Sequence, residues 1–178
     1  MKNALRSAAL AIAVGLAPSV TSAQSGDVHF NIAAGLTLPT GTFADRNDAG
    51  YHAIVGVGMT QRTSQLGFRI EGIYNEFNAK FGDGKTHAGG VTGNVTYDLM
   101  AHTATPSNTL YLIGGAGYYS TKQPFAGLNV PSETNFGWNV GGGFRFPLSG
   151  FSAYLEARYH GVSNVDFRFL PISFGLVF

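Results

Sequence analysis

Five charged residues stand alone on stretches of small side chains: Arg69, Glu71, Arg145, Glu156 and Arg158. Such residues can line an ion path, or they can pair with one another in a closed interior. A second constellation is His160-Gly-Val-Ser-Asn164, which holds a base, a nucleophile and an amide. A Ser–His couple works only if the two side chains share a hydrogen bond. Along a strand, His160 and Ser163 point to opposite faces, so the stretch reads as a strand end running into a polar loop. The histidines His29, His52, His87, His102 and His160 lack the spacing of metal ligands. Phe81-Gly-Asp-Gly-Lys85 lacks the further acidic positions of a calcium loop and reads as a turn. Gly141-Gly-Gly143 lies mid-strand rather than between a strand and a helix, which excludes a phosphate cradle. No catalytic residue, metal site or cofactor is expected.

The elements that carry these residues have a period of two. Eight segments show it: Val28 to Leu38, Tyr51 to Thr60, Leu66 to Phe77, His87 to Met100, Leu110 to Ser120, Phe136 to Phe146, Ser152 to Gly161 and Phe169 to Phe178. In the third, Leu66, Phe68, Ile70 and Tyr74 face one way and Arg69, Glu71 and Asn75 the other. In the sixth, Phe136, Trp138, Val140, Phe144 and Phe146 oppose Gly137, Asn139, Gly141, Gly143 and Arg145. In the seventh, Ala153, Leu155, Ala157 and Tyr159 oppose Glu156, Arg158 and His160. The fifth is apolar on both faces. Each segment is roughly 10 residues long, the length a tilted strand needs to cross a bilayer.

Composition points the same way. Of 178 residues only 12% are charged, and 25 are glycine, against typical shares of about 25% and roughly 7%. A soluble surface needs more charge than this; a barrel with an apolar outer band does not. Without cysteine there is no disulfide framework. Residues 1–23 have the layout of a secretory signal peptide: Lys2 and Arg6, an apolar run from Ala8 to Ala17, then Thr21-Ser22-Ala23 before a cut at Gln24. The apolar run is too short for a transmembrane helix, which needs about 20 residues. Removing Lys2 and Arg6 from the 11 basic residues leaves nine against 10 acidic ones, a net of −1. No basic patch suggests nucleic acid.

These features predict an all-β fold: residues 24–178 as an eight-stranded antiparallel up-and-down transmembrane β-barrel with a filled polar interior. A closed barrel satisfies every backbone polar group in lipid. The alternative, a soluble β-sandwich or lipocalin-like barrel, carries its Lys- and Glu-rich face outside. Here the faces opposite the isolated charges carry Tyr74, Tyr97, Tyr118, Trp138, Phe146, Tyr159 and Phe178, as interfacial girdles do. On the lipid side a basic residue at mid-depth costs roughly 2–4 kcal/mol, so the five charges belong inside. Strands three and seven lie across an eight-stranded ring, and a long Arg158 can reach Glu71. That arrangement plugs the lumen. With both termini periplasmic, the external loops are Pro39 to Gly50, Asn78 to Thr86, Thr121 to Asn135 and Val162 to Arg168. The third is the longest and carries Phe125, Leu128 and Val130, apolar residues without a barrel role and hence candidates for surface contact.

The final stretch, Phe169-Leu-Pro-Ile-Ser-Phe-Gly-Leu-Val-Phe178, resembles the last strand of outer-membrane β-barrel proteins, in particular the opacity/OmpX-like, OmpA-type group. Gly67-Phe-Arg-Ile-Glu-Gly-Ile-Tyr74 and Tyr154-Leu-Glu-Ala-Arg-Tyr-His160 look like that group's internal strands. The resemblance implies an eight-stranded barrel in the bacterial outer membrane, with Phe178 as the assembly signal read by the barrel-assembly machinery. It implies roles in adhesion, envelope integrity or host interaction rather than one activity. The partners expected are therefore outer-membrane lipid, the assembly machinery and a surface ligand held by external loops. A small pore or a lipid A-modifying enzyme is the alternative. Lipid A 3-O-deacylases of this architecture use His-x-Ser-Asn, and His160 to Asn164 is one residue longer.

Overall fold

The computed structural model describes residues 26–61, 64–81, 84–100, 108–122, 133–163 and 165–178. The leader (1–23), most of the connection Ala101 to Thr109, and Phe125, Leu128 and Val130 lie outside the described residues. Eight strands follow one another: β1 (Gly26–Thr40), β2 (Asn47–Gln61), β3 (Leu66–Ala79), β4 (Lys85–Asp98), β5 (Thr109–Lys122), β6 (Glu133–Pro147), β7 (Ser152–Val162) and β8 (Phe167–Val177). Each pairs antiparallel with the next, and β1 pairs with β8, so the sheet closes on itself. Closure leaves no strand edge to satisfy. At the seam the Phe178 N–H donates to the Phe30 carbonyl (2.9 Å), and the Phe30 N–H donates back to the Phe178 carbonyl (3.0 Å).

The alternation of side chains becomes an inside and an outside. Phe30 is 65% exposed and its neighbour Asn31 is 1% exposed. Val28, Ile32, Leu36, Val55, Ile70, Val91, Leu112 and Phe174 stand exposed around the circumference. A continuous apolar belt of this extent has no place in water, which decides between the membrane barrel and the soluble one. Tyr74, Tyr118, Trp138 and Tyr159 lie toward one rim of the belt, Tyr97, Phe146 and Phe178 toward the other. Trp138 packs on Tyr159 (5.8 Å between centroids), and Phe151 on Phe178 (5.9 Å).

Strands outrun the apolar pattern. The connection between β1 and β2 is 41–46, not Pro39 to Gly50. Likewise 80–84 replaces Asn78 to Thr86, 123–132 replaces Thr121 to Asn135, and 163–166 replaces Val162 to Arg168. The inter-strand ladder continues above the bilayer, where outward residues such as Asp48, Asn78, Lys85 and Thr134 are polar and exposed and the apolar alternation that marks a strand in sequence lapses. Residues Gly41–Asp45 form a 3-10 turn that tucks Phe43 into the mouth of the barrel. Gly41 and Gly150 adopt positive φ (61° and 90°), the left-handed backbone that glycine tolerates. The ambiguous fifth segment has a simple explanation. Its inward face carries Tyr111, Ile113 and Tyr119, all buried, and its outward face Leu110, Leu112 and Tyr118.

Candidate functional site

The interior is filled in layers. At mid-height, β3 contributes Arg69 and Glu71 and β7 contributes Glu156 and Arg158 from across the ring, all four at most 5% exposed. They form a closed circuit. Arg158 Nη1 lies 2.6 Å from Glu71 Oε2, and Arg158 Nε lies 2.7 Å from Glu156 Oε1. Arg69 Nη2 contacts Glu156 Oε2 at 2.5 Å, and Arg69 Nη1 lies 3.4 Å from Glu71 Oε1. Each carboxylate thus faces both guanidinium groups, and the four charges cancel. Neutral donors add to the shell around the carboxylates. Asn31 Nδ2 donates to Glu71 Oε1 (3.0 Å), Asn94 Nδ2 to Glu71 Oε2 (2.9 Å) and the Tyr111 hydroxyl to Glu156 Oε2 (2.7 Å). Arg69 also lies over the Tyr111 and Tyr154 rings at 5.7 Å from each centroid. Buried charge is tolerable only when paired and hydrogen-bonded in this way.

Every member of the circuit has a glycine as its cross-strand partner. Gly58 faces Arg69 and Gly56 faces Glu71 on β2; Gly143 faces Glu156 and Gly141 faces Arg158 on β6. A Cβ at Gly56 would sit 2.7 Å from Glu71 Cγ. One at Gly141 would sit 2.1 Å from the Ala157 carbonyl oxygen and 2.8 Å from Arg158 Cγ. In so narrow a lumen, the missing side chains are the space the long charged ones occupy.

The fifth singled-out charge, Arg145, is placed apart. It lies nearer the end where the chain termini emerge, half-buried, with Nη1 3.5 Å from Asp98 Oδ2 and its guanidinium 5.1 Å from the Tyr111 ring centroid. On the other side of the circuit, His52 Nε2 lies 2.8 Å from Ser173 Oγ, and His160 Nδ1 lies 2.8 Å from the Tyr119 hydroxyl. His160 stacks on Phe169 (4.6 Å, 17°). Above it, Phe43, Phe77, Phe167 and Phe169 meet edge to face or tilted, at 4.6 to 5.8 Å, and close the mouth. Sequence reasoning missed this cap. Its signal was inward parity at the tops of β3 and β8; Phe43, on a connection, had no parity to read.

His160 and Ser163 do not form a couple. His160 is fully buried in the lumen, whereas Ser163 is exposed and its N–H extends the ladder to the Phe136 carbonyl (2.8 Å). Asn164 lies outside the described residues. Among the described residues, no cluster of His, Asp or Glu is arranged to hold a metal.

A closed, eight-stranded up-and-down barrel with an apolar belt, aromatic rims and a polar filled core defines a class: the small transmembrane barrels of the bacterial outer membrane. The sequence matches the model of the outer membrane protein β-barrel domain over residues 7–178, and the chain belongs to that family. A comparison with curated protein sequences found no match. Among solved structures, the chain is similar to the Neisserial surface protein A (TM-score 0.67, 15% identity, covering 86% of this chain and 98% of that one). It is also similar to the N-terminal β-barrel domain of Pseudomonas aeruginosa OprF (TM-score 0.52, 13% identity, 87% and 98%). A third likeness is to Ail, the attachment invasion locus protein of Yersinia pestis (TM-score 0.51, 17% identity, 88% and 100%). All three share the architecture. The protein resides in the outer membrane and interacts with its lipid.

Proposed function

We propose that this barrel is a non-enzymatic scaffold that acts at the cell surface through its external loops, in adhesion or envelope integrity. The observation that carries the reading is the filling of the lumen at three levels: the Arg145–Asp98 pair, the ionic circuit and the phenylalanine cap. A lumen so occupied supports a plugged barrel over a pore. The separation of buried His160 from exposed Ser163 supports the non-enzymatic reading, since a Ser–His couple must share a hydrogen bond. What remains accessible is the lipid-facing belt and the loops, and loops vary freely on a scaffold that the bilayer constrains. Ail is named as an attachment protein and was also crystallised with the heparin analogue sucrose octasulfate, an architectural precedent for a surface ligand.

Export through the leader gives a mature chain beginning at Gln24, and the assembly machinery reads Phe178. Deleting Phe178 then lowers the yield of assembled barrel more than deleting Met59 does. The role itself is tested by excising 123–132, the segment that includes Phe125, Leu128 and Val130. Heat-resistant gel mobility is expected to persist while adhesion to the partner surface is lost. Unchanged adhesion would move the role off this loop. His160→Ala and Ser163→Ala are expected to leave the lipid A mass spectrum unchanged. Altered acylation in either would replace the scaffold with the enzyme, and stepwise single-channel currents from the intact barrel would replace it with a pore.

A further inference from the structure

Trp138, Gly161 and Arg168 form one cross-strand row. Trp138 is paired with Gly161 across β6 and β7, and Gly161 with Arg168 across β7 and β8. Trp138 and Arg168 are exposed, and both share parity with the lipid-facing residues of their strands. The row sits toward the rim that carries the connections 123–132 and 163–166, the external end in the orientation with periplasmic termini. A groove of about 580 Å³ opens there, and Tyr159 and Asp166 complete its walls. Gly161 keeps it open: a Cβ at that position would lie 3.0 Å from the indole ring of Trp138, so any side chain would have to displace the indole or fill the groove.

Arg168 is the odd member. The other arginines on the strands of this barrel, Arg69, Arg145 and Arg158, are matched to carboxylates inside. Arg168 points outward and forms no ion pair among the described residues. Trp138 and Tyr159 mark the depth at which hydrocarbon gives way to headgroups. A guanidinium at that depth extends its apolar stem along the protein and places its charge at the level of the lipid phosphates. Its planar fork matches a phosphate with free terminal oxygens, taking two of them in parallel hydrogen bonds.

We propose that the Trp138–Gly161–Arg168 groove is a lipid seat for a phosphomonoester headgroup. Arg168 holds the phosphate, and Trp138 and Tyr159 pack against the backbone and first methylenes that follow it. Asp166, two residues before Arg168, also lines the groove and repels anionic charge, so the phosphate keeps to the guanidinium. A phosphodiester capped by choline offers fewer free oxygens and carries a trimethylammonium that Arg168 repels, so it is the weaker occupant.

Trp138 is the chain's one tryptophan, and its fluorescence reads the groove directly. The full barrel is folded into phosphatidylcholine vesicles containing equal small fractions of dibrominated phosphatidic acid, phosphatidylglycerol or phosphatidylcholine. Phosphatidic acid is expected to quench Trp138 at least about twofold more strongly than either other lipid, the advantage of a phosphomonoester's charge of about −1.5 to −2 over the single charge of a phosphodiester. Arg168→Gln is expected to equalise the three, Asp166→Asn to widen the preference, and Lys80→Gln, on a different connection, to leave it unchanged. Millimolar inorganic phosphate is expected to have no effect. Equal quenching in the wild type, a preference that survives Arg168→Gln, or one lost equally in Lys80→Gln overturns the proposal. So does reversal by free phosphate, which would make the groove an ion site. Should Arg168→Gln fail to assemble, Asp166→Asn decides, and an unaltered preference there counts against the seat.

Discussion

The lumen is sealed twice, by materials that behave differently. At mid-height the seal is ionic: Arg69, Glu71, Glu156 and Arg158, each touching two partners of opposite sign. At the mouth it is apolar: Phe43, Phe77, Phe167 and Phe169 in contact through their ring edges. The ionic layer is all or nothing. A charge left alone in a dry interior costs far more than its pair contributes. The apolar layer is graded, because dispersion and hydrophobic burial change roughly in proportion to volume and area. Between the two lie His160, stacked on Phe169, and Tyr119, which contacts both His160 and Phe169.

The largest expected effect breaks the ionic layer. Glu71→Ala leaves Arg69 and Arg158 to share the one carboxylate of Glu156, an uncompensated buried positive charge, and is expected to destabilise the barrel by about 3–5 kcal/mol. Adding Arg158→Ala is expected to recover part of that loss. Reversible urea unfolding in bilayers gives the double-mutant cycle, and strict additivity would mean the residues do not act as a unit.

A smaller effect tests whether the glycine partners are what make room for the circuit. Gly141→Ala places a Cβ against the Ala157 carbonyl and the Arg158 stem, and is expected to cost about 1–3 kcal/mol by overpacking. Gly93→Ala, where a Cβ would meet nothing within 4 Å, is the matched control and is expected to stay within about 0.5 kcal/mol of wild type, as surface changes do. Equal losses would show that glycine acts here through the backbone rather than through space.

The smallest effect belongs to the cap. Phe169→Leu keeps an apolar side chain of similar size and is expected to cost less than about 1.5 kcal/mol. If it matches Glu71→Ala in the same unfolding assay, the graded picture of the mouth fails and the two layers form one cooperative unit.

Local pattern carried much of this architecture. Arg69, Glu71, Glu156 and Arg158 are legible as interior residues because each shares parity with small side chains, while Phe68, Ile70, Leu155 and Ala157 take the opposite face. That parity is a property of two adjacent residues and needs no knowledge of the fold. The same pattern failed where its cause was absent. Beyond the bilayer the outward face is no longer apolar, as at Asp48 and Thr134, so the tops of β1, β2 and β6 look like loop. Phe43 looked like a loop residue and is part of the cap.

By itself, then, the sequence determined the strand number, the inward and outward faces and the membrane class, since all three follow from a two-residue period repeated at bilayer length. The tertiary structure alone decided that the Arg158–Glu71 contact is one side of a four-member circuit with Arg69 and Glu156, that each circuit member faces a glycine, that Arg145 pairs elsewhere, and that Phe43 closes the mouth. Those facts depend on strand register around a closed ring. Register is the sum of seven turns and a closing seam, and no stretch of chain contains it.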